Sequence, residues 1–372
     1  MSLPSTSSLT VAVLGATGLV GSLILELLQQ RNFPLTELRP LASGRSVGKT
    51  ITFNGQSIPV RLAEPEAFVG VDIVLSSAGG TVSAQLVPEA VKRGAVVIDN
   101  TSFFRLSEEV PLVVAGVNDA DLAHHQGIIA NPNCSTAQLM PVLRALHDAA
   151  GLQRVIISTY QSVSGAGVAG LTELLAQTQG DVEHVHLGQP NPNPEVSVPA
   201  SKFSRPIAFN LIPQIDSFNT THPLEQGYTN EELKLVHETR KILSLPHLPI
   251  TATAVRVPVW VGHSEAVTVD LQRPLSVEEA TAVLQAAPHC QVSTSYDTFY
   301  TPRETAGTDP VYVSRLRRDT SNPETGLNFW VVADNLRIGA ALNAVRLAET
   351  LLAQGHLVRY QQERSAALVE TV

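Results

Sequence analysis

Hydrophobic and polar positions along the first 130 residues alternate between two periods. Residues 9–15 (LTVAVLG) are a short apolar run rich in β-branched side chains, the pattern of a buried strand. From there Leu19, Val20, Leu23, Ile24, Leu27 and Leu28 recur every three or four positions and predict one face of a helix. Strand patterns return at 37–42, 71–77 and 95–99, with a helix over 81–92 and further strand candidates at 111–115 and 127–131. Residues 51–62 read as a small hairpin turning at Asn54-Gly55. Repeated β-α-β of this kind predicts a parallel sheet covered on both faces.

The texture changes after Cys134. A helix over 135–149 leads into a long strand at 153–163, and 165–178 reads as helix. Residues 188–206 carry five prolines and read as a loop. A polar helix at 229–243 precedes long strands at 250–261, 264–272, 310–318 and 327–334. Longer strands and fewer helices predict a mixed or antiparallel sheet in a second domain of α+β type. The helix at 338–354 has the apolar character of the first domain and is expected to pack back onto it. The tail beyond Tyr360 is polar and is expected to be loose.

Composition narrows the possibilities. A chain of 372 residues fits two domains, at roughly 150 residues each. With 44% hydrophobic residues it can build a sizeable core. The 25 Lys and Arg against 34 Asp and Glu give a net charge of −9, and no basic run argues for nucleic acid. The two cysteines, Cys134 and Cys290, form no CxxC pair, so a reducing cytoplasm is the expected compartment. The first basic residue is Arg31, which does not fit a signal peptide. No run approaches the ~20 apolar residues of a membrane span.

Two segments carry chemistry. Gly15-Ala-Thr17-Gly18-Leu19-Val20-Gly21 joins the first strand to the first helix. In that context a GxxGxxG turn predicts a dinucleotide site, with pyrophosphate on the helix N-terminus. After the second strand, Ser43-Gly44-Arg45-Ser46 offers a guanidinium and hydroxyls but no carboxylate. That favours the 2′-phosphate of NADP over the free ribose of NAD. Cys134, in Asn131-Pro-Asn133-Cys134-Ser-Thr136, falls where a strand ends and a helix begins, a setting that favours thiolate. A thiolate beside a nicotinamide predicts an acyl-thioester mechanism. Cys290 reads as structural. His263 stands out among eleven histidines for its Gly-His-Ser-Glu turn between two strands.

These segments, with NTSFFR (100–105), STYQSVSGAG (158–167), FNLIPQID (209–216), NEELK (230–234), RVPVWVGHSEAV (256–267) and DNLRIGAALNAVRLAE (334–349), resemble aspartate-semialdehyde dehydrogenases over nearly the whole chain. One departure is Ile338, where the family's pattern usually has Lys. The resemblance implies a Rossmann-type NADP-binding domain (1–133, completed by the C-terminal helix 338–360) and an α+β catalytic and dimerisation domain (134–337) with a large mixed sheet. It implies reversible NADPH-dependent reduction of L-4-aspartyl phosphate to L-aspartate 4-semialdehyde and phosphate, in the biosynthesis of lysine, threonine, methionine and diaminopimelate.

On this chain the resemblance makes Cys134 the nucleophile, Gln161 the residue orienting substrate and acyl group, and His263 the general acid/base, for which an imidazole near pKa 6.5 is suited. Arg256 would clamp the α-carboxylate. Arg105 and Lys234 would hold phosphate with Asn133 assisting, and Glu231 would meet the α-ammonium. Gly15, Thr17, Gly18, Leu19, Val20, Arg45, Ser46, Ser164, Gly165 and Asn335 would contact NADP, with the Ser164 and Gly165 N–H groups facing the nicotinamide. No metal is expected. A homodimer is implied, with a tetramer also compatible. From the residues alone, an ordinary i,i+3 surface salt pair is the preferred reading of Glu231 and Lys234. The alternatives are an N-acetyl-γ-glutamyl-phosphate reductase-like enzyme and a non-catalytic NADP-binding regulator.

Overall fold

The computed structural model describes residues 9–182 and 198–370. It divides into two compact units. One draws on the chain up to Asn133, on Lys241–Ser244 and on the chain from Arg337 onward; the other on Cys134–Arg240 and Leu245–Leu336.

In the first unit, strands β1 (Thr10–Leu14), β2 (Glu37–Ala42), β5 (Arg61–Leu62), β6 (Ile73–Ser76), β7 (Val96–Asp99) and β8 (Ile128–Ala130) form a parallel sheet. Its order is β5-β2-β1-β6-β7-β8. A hairpin of β3 (Thr50–Phe53) and β4 (Gln56–Pro59) stands apart, turning at Asn54-Gly55. Alternation along the central strands divides the core. Val11, Val13, Ile73, Leu75, Val96 and Ile98 face helix α1 (Leu19–Gln30) and the C-terminal helix Leu342–Ala353. Ala12, Leu14, Val74 and Val97 face the other way, with helix α2 (Gly80–Lys92) and Phe68. Continuous apolar strands result because both faces are covered.

Three sequence expectations fail here. Residues 111–115 form no strand; a single bridge joins Leu112 to Ala130, although Leu112–Ala115 are buried. The tail is not loose: His356–Glu370 is helical, with Leu357 buried and the Tyr360 ring centroid 5.1 Å from that of His125, tilted by 43°. The helix at 338–354 also begins later than expected, after a wide π-type turn at Arg337–Ala341.

His125 makes that contact pH-sensitive. Its Nδ1 accepts the Gly127 N–H at 3.1 Å. Burial, with the charges of His356 and Arg359, pushes its pKa down to about 4. A folded pKa below the unfolded value of ~6.5 gives stability that is present above pH 6.5 and lost as pH falls toward 4. Two and a half units correspond to on the order of 3 kcal/mol. Urea unfolding of wild type and His125→Gln at pH 7 and pH 4.5 should show a smaller acid loss in the variant. Equal losses would refute the assignment.

In the second unit, helix α3 (Cys134–Ala150) leads into strand β9 (Leu152–Gln161), followed by α4 (Gly167–Val182), α5 (Asn230–Ile242), β10 (Ile250–Arg256), β11 (His263–Leu271), α6 (Val277–Ala286), β12 (Cys290–Val292), β13 (Val311–Arg318) and β14 (Gly326–Ala333). The six strands make one mixed sheet, β10-β9-β11-β14-β13-β12. β9 runs parallel to β10 and antiparallel to β11. The C-terminal ends of β9 and β10 and the start of β11 therefore lie at one end of the sheet. Of the proline-rich stretch, residues 188–197 lie outside the described residues. Its later part is tied down where Glu173 of α4 accepts from the Ser201 N–H and hydroxyl and the Lys202 N–H.

Candidate active site

In the first unit, Gly18 caps α1 without a side-chain hydrogen bond, and no acidic residue occupies the first turn. The N–H groups of Leu19 and Val20 open the helix and have no intrahelical acceptor. Gly21 lets helix and turn close together: a Cβ there would lie 2.1 Å from the Gly15 carbonyl oxygen. Thr17 Oγ1 meets Ser46 Oγ at 3.1 Å, joining the turn to Gly44–Ser46 beyond β2. Arg45 is exposed beside it, and that segment holds no carboxylate. This cradle fits a dinucleotide diphosphate. A cleft of 530 Å³ between α1 and the β3–β4 hairpin includes Thr17 and Lys49.

Arg105 is buried, and its guanidinium donates to the main chain: Nε to Asn131 O at 2.9 Å and Nη2 to Asn100 O at 2.8 Å. Lys241 secures the loop that carries it. Its ammonium donates to the carbonyls of Arg105, Ser107 and Val110 at 2.7–2.9 Å. Asn133 is buried too, and Asn131 before it accepts from Asn343 Nδ2 at 2.6 Å.

The second unit assembles the remaining candidates. Cys134 is the first residue of α3, where helix N–H groups favour a thiolate. Gln161 ends β9, Arg256 ends β10 directly opposite it, and His263 opens β11. Gln161 Nε2 donates to Glu231 Oε1 at 3.1 Å. The other Glu231 oxygen accepts from Lys234 Nζ at 3.2 Å, and Lys234 also reaches Asp216 at 2.9 Å. Glu231 is 6% exposed, so this is no solvated surface pair. Burial opposes the charge on Lys234, but Glu231 and Asp216 outweigh it and raise its pKa.

Burial lowers the Arg256 pKa, against the charges of Glu231 and Cys134, which act to raise it. Its Nη1 donates to the Ser162 carbonyl at 2.6 Å. Among the described hydrogen bonds this is the only one its five N–H groups make. The Nη2–Nε edge thus suits a two-pronged carboxylate contact.

His263 departs from the expected pKa near 6.5. It is wholly buried, and burial with the Arg256 charge pushes its pKa down to about 3. The ring is neutral at pH 7. Its Nδ1 lies 3.1 Å from both the N–H and the hydroxyl of Ser162, while Nε2 has no partner among the described residues. Gly165 covers the ring closely. A Cβ there would come within 3.1 Å of Arg256 Nη1 and 3.3 Å of His263 Nε2.

The N–H groups of Ser164 and Gly165, in the short turn Val163–Ala166, donate to Trp260 O at 3.1 Å and Ser162 O at 3.3 Å. Asn335 is likewise engaged internally. Its Oδ1 accepts from both serine hydroxyls at 3.1 Å and from the Gly262 N–H at 2.8 Å. Among the described residues no group of three His, Cys, Asp or Glu could hold a metal, and no helix is long and apolar enough to cross a membrane.

Residues 10–125 match the family described as semialdehyde dehydrogenase, NAD binding domain, and residues 143–338 match semialdehyde dehydrogenase, dimerisation domain. An aspartate-semialdehyde dehydrogenase of Bacillus subtilis is 48% identical over 347 residues, which is 92% of this chain and 97% of that protein. The chain belongs to the aspartate-semialdehyde dehydrogenase family. Solved aspartate-semialdehyde dehydrogenases share the fold. Enzyme II of Vibrio cholerae, described as complexed with ASA, aligns with a TM-score of 0.85 at 44% identity, covering 93% of this chain and 99% of that one. The Candida albicans enzyme, described with NADP, aligns with a TM-score of 0.70 at 26% identity, covering 94% and 99%.

Three polar side chains in these units escape a sequence reading. Ser162 sits in a recognisable block, but nothing in its spacing says that it meets His263. Glu265, two residues beyond His263, is wholly buried, and burial raises its pKa well above the usual carboxylate value. Lys241 looks like any cation at the end of a polar helix.

Proposed function

We propose that the protein catalyses the reversible NADPH-dependent reduction of L-4-aspartyl phosphate to L-aspartate 4-semialdehyde and phosphate, through a thioester on Cys134. The observation that carries this reading is the grouping, at one end of the second unit's sheet, of Gln161, Arg256 and His263 with buried Glu231. Arg256 is near enough to Cys134 to respond to its charge. Cys134 attacks the acyl phosphate as a thiolate sustained by the α3 N-terminus and Arg256. Arg256 holds the α-carboxylate, Glu231 the α-ammonium, and Gln161 orients the acyl group. Lys234, Arg105 and Asn133 receive phosphate. The Arg105 contacts with main-chain carbonyls fix its guanidinium in advance. His263 takes the thiol proton and later protonates the oxyanion. NADPH, when bound, supplies a hydride to the thioester carbonyl carbon.

The cofactor is received by Gly15, Thr17, Gly18, Leu19 and Val20 at the diphosphate and by Arg45 and Ser46 at the 2′-phosphate. Gly165, with Ser164 and Asn335 behind it, shapes the nicotinamide end. The first unit is the NADP-binding domain, completed by the C-terminal helix, and the second is the catalytic and dimerisation domain. The protein is a cytoplasmic homodimer, to which a tetramer would add a second dimer contact. It supplies the semialdehyde for lysine, threonine, methionine and diaminopimelate synthesis.

Phosphate-dependent reduction of NADP by aspartate semialdehyde, run beside the N-acetyl-glutamyl analogue, tests the reading. Activity is expected with the free amine only, since an acylated amine leaves Glu231 without a cation. NADP should be preferred over NAD by about tenfold or more, worth ~1.4 kcal/mol, with Arg45→Ala narrowing the gap. Preference for the acylated substrate, or equal use of NAD by wild type, would overturn the respective assignment.

A further inference from the structure

A histidine that accepts a proton from a thiol and returns it to an oxyanion passes through a state with protons on both ring nitrogens. The Nδ1 side then needs an acceptor. When the proton sits on Nε2 alone, Nδ1 needs a donor instead. One residue at His263 offers both. The backbone N–H of Ser162 points at Nδ1 at 3.1 Å, and its hydroxyl oxygen lies at the same distance. The hydroxyl also has Ser164 Oγ at 3.0 Å and Asn335 Oδ1 at 3.1 Å; with its proton given to Asn335 Oδ1, an oxygen lone pair is left for the ring. Asn335 is itself fixed by Gly262 N–H and by Ser164. Ser162, Ser164, Asn335 and His263 are all at most 2% exposed, so no water competes for these bonds.

We propose that Ser162 is a positioning residue that sets the protonation chemistry of His263, its N–H serving the Nε2–H form of the ring and its Asn335-aimed hydroxyl serving the form with a proton on Nδ1. This rests on the acid/base role given to His263 above. The ring that takes the thiol proton carries its own proton on Nδ1, held by Ser162 Oγ, with Nε2 free; the Sγ–H bond of Cys134 breaks and an Nε2–H bond forms, giving thiolate and imidazolium. The imidazolium Nδ1–H then donates to Ser162 Oγ, because the backbone N–H cannot accept. On the return step the Nε2 proton moves to the oxyanion and the ring is neutral again. The groups whose charge bears on the ring are Arg256 on β10 and Glu231 on α5. Cys134 on α3 acts on Arg256 in turn, and Glu265 lies on the ring's own strand, where burial raises its pKa. None of these offers Nδ1 an acceptor.

The test is the pH dependence of Cys134 alkylation by iodoacetamide in the substrate-free enzyme, with steady-state kinetics alongside. Ser162→Ala keeps the N–H and loses the acceptor. Its alkylation midpoint is expected to move up toward the free thiol value of ~8.5. Its kcat should fall by roughly a hundredfold, the scale of general acid–base catalysis, with KM and melting temperature unchanged. Ser162→Thr restores the hydroxyl and should recover both readouts. An unshifted alkylation profile with wild-type kcat in Ser162→Ala would overturn the proposal, as would equal losses in both variants with lowered melting temperatures. His263→Asn separates the two readings. If its thiol alkylates as in wild type, the base role of His263 falls. If it shifts while Ser162→Ala does not, only the role of Ser162 falls.

Discussion

Cys134→Ser is expected to lower phosphate-dependent reduction of NADP by about 10⁴-fold or more, the scale on which loss of a covalent nucleophile is felt. A serine hydroxyl at the start of α3 would meet the same helix dipole and the same guanidinium. Neither brings its pKa, several units above that of a thiol, near the working range. The substitution is nearly isosteric, and Cys134 is only partly buried, so thermal unfolding should match wild type. The assay is initial-rate reduction of NADP at saturating phosphate and semialdehyde. Cofactor binding, followed by nucleotide fluorescence, serves as the control and should be unchanged. Activity within tenfold of wild type would remove the thioester from the mechanism.

Gly21→Ala should have the largest effect on the first unit. The added Cβ would lie 2.1 Å from Gly15 O, 2.8 Å from Gly15 C and 2.9 Å from Ala16 Cα. All three are backbone atoms between β1 and α1, so no side chain can swing away. Relief requires α1 to lift from a core that includes Ile24, Leu27 and Leu28. A cost of about 3 kcal/mol is expected, at the upper end for overpacking. The diphosphate cradle opens with it, and NADP affinity should drop by more than about tenfold. Gly18→Ala is the matched control, because its Cβ meets nothing nearer than Gly15 O at 3.4 Å. Chemical denaturation and NADP titration of both variants decide the matter. A Gly21→Ala protein as stable as Gly18→Ala would show that the helix does not depend on this close approach.

The parallel sheet was legible because strands buried on both faces leave continuous apolar runs, as in Val11–Val13 and Val96–Ile98. The same rule misreads 111–115, where Leu112–Ala115 are apolar for burial but make almost no ladder. Apolar content reports burial, and hydrogen bonding is a separate matter. The polar tail misled in the opposite sense. Beyond Tyr360 it opens on the polar run Gln-Gln-Glu-Arg-Ser, yet Gln361 bonds Asp72 and Arg364 donates to the carbonyls of Val91 and Lys92. In the candidate site, cysteine, glycine turn and histidine carry local signatures. Glu231 and Lys234 do not, since i,i+3 spacing is the same for an exposed pair and a buried one. Ser162 is invisible for a further reason: its partners His263 and Asn335 lie 101 and 173 residues away.

The helix Leu342–Ala353 covers one face of a sheet whose strands are complete by Ala130, and its Asn343 hydrogen-bonds Asn131, Val113 and Ala115. A ribosome making this chain must therefore add some two hundred residues of another unit before the first can close. During that interval Val11, Val13, Ile73 and Ile98 lack the part of their cover that this helix provides. That stretch of synthesis is when the nascent chain should most need a chaperone, and a chain cut short before Leu342 would keep its glycine turn yet lack the wall behind it.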